Sequence, residues 1–184
     1  MGNLKNAAPE QPGMKIGFEI PDPGEYLLEI QEGIDRYTKE DDQRVSVGIP
    51  LKVDQVVGTN GTEESIGRPV TYFITMVTKE GKLVDFGEKQ IANVLACTGL
   101  LDKFAEKYDG DVDMSSEKFV GDLKLQLPNK FLKMTLSHEP DFKNKDKMRV
   151  KIETVEPAGK TTGASATAPV ETGDNQAADG DTAW

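Results

Sequence analysis

Five apolar residues at alternate positions constrain this chain more than any other feature. In RVSVGIPLKVDQV, Val45, Val47, Ile49, Leu51 and Val53 share one side, while Arg44, Ser46, Lys52 and Asp54 face the other. Side chains of a strand alternate between faces, so this pattern demands a long strand with one buried face. Gly48 and Pro50 within it predict a bulge or an edge. The same period recurs on both sides. In GEYLLEIQE, Tyr26, Leu28 and Ile30 share a face behind the turn Pro23-Gly24. In RPVTYFITMV, Val70, Tyr72, Ile74 and Met76 alternate with Thr71, Phe73, Thr75 and Val77, after the turn-rich VGTNGTEESIG.

The period then lengthens. Ile91, Val94, Leu95, Leu101 and Phe104 recur at helical spacing, with Gly99 as a break and Asp109-Gly110 as the end. A further short helix is expected from Ser116 to about Leu123. Two strands follow, FLKMTLSHE after the turn Pro128-Asn129, and KMRVKIETVE with Val150, Ile152 and Val155. Three strands, a helical insert and two strands form the chain order of the five-stranded OB-fold barrel. The expected fold class is therefore mainly β with a helical insert, an OB-fold-like barrel. Its bounds are set by composition: a loose N-terminus over 1–13, a binding domain over 14–156, and a disordered acidic tail over 157–184. That tail is Ala, Thr, Gly, Ser, Asp and Pro, with too few large apolar groups to offset the entropy of ordering.

Catalysis finds little support. The sole cysteine, Cys97, lies in the apolar run IANVLACTG and is expected to pack as a small hydrophobe. The sole histidine, His138, lies in the strand-like stretch FLKMTLSHE, a poor start for a triad, and suits a core, surface or strand-end role. There is no GxxxxGK[ST] loop, and DGDVD lacks the glycine and terminal Glu of a calcium loop at the required spacing. The expectation is a non-enzyme without cofactor or metal. The N-terminus has no apolar core for a secretory signal, and no run reaches the length of a membrane span, which predicts a cytoplasmic protein without membrane contact.

Net charge is −10, so a polyanionic ligand requires a local basic face. The segment between the last two strands supplies one. From Phe142 to Lys151 stand Lys143, Lys145, Lys147, Arg149 and Lys151 against the single acid Asp146, led by the aromatic Phe142. Cations that neutralise phosphates beside a ring that stacks on bases are the requirements for sequence-tolerant single-strand binding. The segment joining the first two strands adds Arg36, Tyr37, Lys39 and Arg44, among four acids. Lys52, Tyr72 and Phe73 lie on the strands that form the binding face of OB barrels, and only one of the two aromatics can point outward. Lys-rich hairpin loops also serve as solubility devices and edge protection. The only tryptophan, Trp184, ends the acid-spotted tail near Asp179 and Asp181, and is expected to dock in an apolar pocket of a protein partner.

IPDPGEYLLEI resembles the P-x-G-x-Y first strand of small bacteriophage proteins linked to replication and recombination, which are similar to phage single-stranded-DNA-binding proteins. KQIANVLACTGLLD resembles their helix ending in A-x-x-G. LPNKFLKMTL stands in place of an L-x-G-K strand, with Asn129 where glycine is usual, and KMRVKIETVEP resembles the basic strand before the tail. The likeness spans most of residues 16–157. It implies an OB-type barrel that coats single strands of DNA during replication and recombination, in the host cytoplasm, with a tail recruiting replication or recombination proteins. Two other readings stand beside it: an accessory factor that modulates a host or recombination enzyme, and a structural particle protein. Homo-oligomerisation is left open.

Overall fold

The computed structural model describes residues 19–39, 43–109, 112–141 and 144–159. The expected N-terminal segment 1–13 and nearly all of the tail lie outside them. Six strands form one antiparallel sheet: β1 (Gly24–Ile30), β2 (Asp35–Thr38), β3 (Val45–Val56), β4 (Pro69–Val77), β5 (Phe131–Pro140) and β6 (Met148–Pro157). Three helices lie between β4 and β5: α1 (Asp85–Cys97), α2 (Leu101–Tyr108) and α3 (Glu117–Gln126). The sheet runs β2-β3-β1-β5-β6, with β4 on the other side of β3.

The alternation places the core where the sequence predicts. Tyr26, Leu28, Ile30, Val47, Ile49, Leu51, Val53, Ile74 and Met76 are essentially sealed from solvent, together with Leu132, Met134 and Leu136 of β5. β3 is long because it serves two partners along one edge. Its first half pairs with β2 and its second half with β1, from Leu51 onward. Pro50 marks the handover. Its carbonyl accepts from Gln31 N at 2.9 Å, so its missing N–H points into the gap between β2 and β1, where no ladder bond is lost. The bulge expected at Gly48 and Pro50 is therefore absent: both stay in regular register with Phe73 and Thr71, and the β3–β4 ladder shifts instead at Val45/Ser46.

The expected barrel does not close among the described residues, because β4 and β6 do not pair with each other and the sheet stays open. Helix α1 spans this seam at one end. Val84 N, just before α1, donates to Met76 O of β4 at 2.9 Å, and Asn93 Nδ2 donates to Val155 O of β6 at 3.1 Å. Gly99 ends the α1 turn in the left-handed conformation at φ 70°, and the phase change buries Leu100 while Leu101, expected in the core, stays exposed. Asn129, at φ 64°, meets the left-handed turn before β5, which asparagine tolerates better than most residues. Cys97 is half-buried, its Sγ 3.8 Å from Val155 O, and burial and then Glu156 push its thiol pKa up, away from the reactive thiolate. His138 donates through Nε2 to Pro21 O at 2.7 Å, a strand-end role.

The helices are tied to one another by a polar clasp beside packed rings. Phe119 meets Phe104 and Tyr108 edge-on or tilted at 5.5 and 5.6 Å between centroids. The Tyr108 hydroxyl donates to Asp122, and Lys107 Nζ reaches the same carboxylate at 2.6 Å. Desolvation, then the Asp122 hydrogen bond and charge, hold the Tyr108 phenol up to about 12, above its ordinary value of 10.0. A raised folded-state pKa favours the protonated fold, so its contribution is whole below pH 10 and is lost as pH climbs towards 12. Melting temperature should fall across that window, and Tyr108→Phe should flatten the fall. An equally steep decline in Tyr108→Phe would place the alkaline sensitivity elsewhere.

Candidate nucleic-acid interface

The outward residues of β2, β3 and β4 form one continuous face. Tyr37 lies opposite Ser46, Gly48 opposite Phe73, and Lys52 opposite Pro69. Tyr37 and Phe73 are 47% and 59% exposed, large apolar rings left in water. They touch edge-to-face, with centroids 5.4 Å apart and planes at 67°. Gly48 beneath them is the reason they fit. A Cβ there would stand 2.6 Å from the Tyr37 ring and 3.2 Å from the Phe73 ring. The glycine that sequence assigns to a bulge instead beds an aromatic pair. Tyr72 takes the inward place, 8% exposed, so Phe73 is the outward member of the two.

Beside this face, the open seam between β4 and β6 forms a groove of about 580 Å³. Thr71, Tyr72, Phe73 and Thr75 line it from β4, Phe86 and Gln90 from α1, and Arg149 to Glu153 from β6. Phe86 is 68% exposed. Sequence reasoning missed Phe86 and Gln90, which lie before or on the polar side of the helical pattern. A large ring in a first helical turn, off the apolar stripe, was the available signal.

The expected cations fare unequally. Arg36 is drawn off the face, its Nε donating to Ser115 O at 2.7 Å in the turn before α3. The segment carrying Arg36 and Tyr37, expected as loop, is the short strand β2. Lys39 and Arg44 lie on either side of residues 40–42, between β2 and β3. Lys52 pairs with Glu29 at 3.3 Å, Arg149 with Glu139 at 2.5 Å, and Lys151 with Glu153 at 3.0 Å. Ser137 and then Lys151 lower the Glu153 pKa, and Gln31 and then Lys52 lower that of Glu29, so these carboxylates stay ionised and compete with any phosphate. Lys39, Lys145 and Lys147 are exposed and have no carboxylate within ion-pair reach among the described residues. Lys39 and Arg44 lie near the end of β4, and Lys147 lines one pocket with Arg68, just before its start, where Arg68 is paired with Glu19 at 2.9 Å. Nine residues of strand, roughly 30 Å, separate Lys39 and Arg44 from Lys147. The aromatic pair and the groove lie between them.

Phe142 and Lys143, and Asp179, Asp181 and Trp184 of the tail, lie outside the described residues. Among those described, no cluster of His, Cys, Asp and Glu could hold a metal, and no helix is long and apolar enough to cross a membrane. The chain matches no protein-family model and no curated protein.

Proposed function

We propose that this is a single-stranded-DNA-binding protein of phage type that coats single strands during replication and recombination, without catalysis. The observation that carries the reading is the exposed Tyr37–Phe73 pair bedded on Gly48. The pair contributes to the sheet through its cross-strand contact, yet about half of each ring is still left in water, and base stacking on such rings is sequence-tolerant because every base has a π-face. The reading takes the sheet as an OB-type barrel whose last ladder, between β4 and β6, is left open. On that scheme the ligand crosses the outer face of β3 and β4 between the segment joining β2 to β3 and the segment joining β5 to β6. Phosphates would meet Lys39 and Arg44 at one end and Lys143, Lys145 and Lys147 at the other. Recruitment of replication or recombination proteins by the C-terminal segment through Asp179, Asp181 and Trp184 belongs to the same proposal.

Fluorescence titration with poly-dT at increasing salt tests it. With three to four phosphates neutralised, log K should fall against log salt with a slope of about −2 to −3. Replacing Lys143, Lys145 and Lys147 together should flatten that slope and weaken binding to all sequences alike. Absence of binding at low salt would leave the second reading, a protein-interaction accessory factor. What favours that alternative is that Lys52, Arg149 and Lys151 are already neutralised by carboxylates on a chain of net charge −10.

A further inference from the structure

The seam groove differs in kind from the stacking face beside it, because it offers hydrogen-bonding groups without partners. The Pro50 carbonyl points to β1 and β2, so Val47, Ile49 and Leu51 turn their main-chain groups to β4. Their partners Ile74, Tyr72 and Val70 point back, which leaves Thr71 and Phe73 presenting N–H and C=O groups to the seam, while the Thr75 carbonyl is turned to Gly87 of α1. The side chains at the inner wall are also half-used. Gln90 Nε2 donates to the Tyr72 hydroxyl at 2.8 Å. Among the described residues nothing accepts the hydroxyl hydrogen of Tyr72, and nothing donates to Gln90 Oε1. Turning the amide over would still leave one donor and one acceptor side by side. Burial raises the Tyr72 pKa, so its proton stays in place.

We infer that the β4–β6 groove is a subsite for one unstacked nucleobase, whose pairing edge meets Tyr72 and Gln90 while Phe73 and Phe86 offer their rings. The inference rests on the single-strand reading above and adds a base-contacting site to it. Single-stranded bases are recognised by splaying them out, stacking them and hydrogen-bonding their pairing edges. That edge carries a donor beside an acceptor, which is the complement of the Tyr72–Gln90 pair. The groove adjoins the stacking face, since Phe73 belongs to both. A peptide strand added to the seam is disfavoured because the open edge is short. Val84 caps the β4 edge at Met76, and Asn93 caps the β6 edge at Val155.

An octamer of thymidine and an octamer of N3-methylthymidine, whose pairing edge is blocked, separate the possibilities. The protein should bind the first about two- to tenfold more tightly, the range for one net hydrogen bond. Tyr72→Phe combined with Gln90→Met should bind both octamers equally, while Tyr37→Ala should weaken both and keep the ratio. In the unsubstituted protein, the thymidine octamer should shift the Gln90 side-chain amide resonances, a readout that needs no variant to fold. Equal binding of the two octamers by the unsubstituted protein would overturn the subsite and leave the single-strand reading standing. Binding of neither would remove both. If an alternating Val-Thr octapeptide shifts the Gln90 amide and the thymidine octamer does not, the groove belongs to a peptide strand instead.

Discussion

Phe73→Ala and Tyr37→Ala are each expected to weaken binding of a thymidine oligonucleotide by about 1–3 kcal/mol, the range for loss of one stacking ring. Folding should survive both changes, because each ring is about half exposed and leaves no cavity in the core. The two losses should not add. The rings touch at 5.4 Å, so removing one frees the other to turn, and the double variant should lose less than the two singles combined. Gly48→Ala tests the same pair from below. Its new methyl group would enter the Tyr37 ring at 2.6 Å and push it off its bed, weakening binding while both rings remain in the chain. Neither effect depends on charge, so the salt slope should stay constant across all four proteins. Variants that melt normally and bind as tightly as the parent would show that these rings face something other than DNA.

The alternation of Tyr26, Leu28 and Ile30, of Val45 to Val53 and of Val70 to Met76 was legible because one buried face writes a period of two. Placing Tyr72 inward on that period already sends Phe73 outward. Other features had no local signal. β2 spans four residues, too few for a period to emerge, so Arg36 and Tyr37 look like loop. The phase error at Leu100 and Leu101 arises because the left-handed turn at Gly99 restarts the helical count. Within the basic run, Arg149 is compensated by Glu139 across the strand pair and Lys151 by Glu153 two residues on. The first of these is a product of register between β5 and β6, which composition cannot display. The open seam was illegible for the same reason. Strand order alone does not say whether β4 and β6 come close enough to pair, and α1 bridges the space between them at one end. The candidate site thus divides: the outward turn of Phe73 was written in alternation, whereas Tyr37 enters through the short β2 and Phe86 and Gln90 only through the packing of α1.

That packing turns on Gly87, and Gly87→Ala should show it. Gly87 is buried in the first turn of α1, where the helix crosses β4. A Cβ there would stand 2.1 Å from Thr75 O and 3.3 Å from the Met76 sulfur. The first contact is with backbone, so no side-chain rotation relieves it and the helix or the strand must shift. Overpacking of this kind costs about 1–3 kcal/mol, occasionally more. In an ordinary helix the same substitution works the other way, because alanine has the higher helical propensity by roughly 0.5–1 kcal/mol. Gly121 in α3 supplies that comparison, since a Cβ there meets nothing within 4 Å. Gly121→Ala should raise the denaturation midpoint slightly, and Gly87→Ala should lower it. The displaced α1 also carries Phe86 and Gln90 away from the groove, so Gly87→Ala should lose the preference for thymidine over N3-methylthymidine under conditions where it is still folded. It should keep the salt-dependent binding that rests on the lysines and on Tyr37. If Gly87→Ala is as stable as Gly121→Ala, α1 does not press on β4 as described; if it is destabilised and still discriminates the two octamers like the parent, the groove that α1 walls is not the base-reading element.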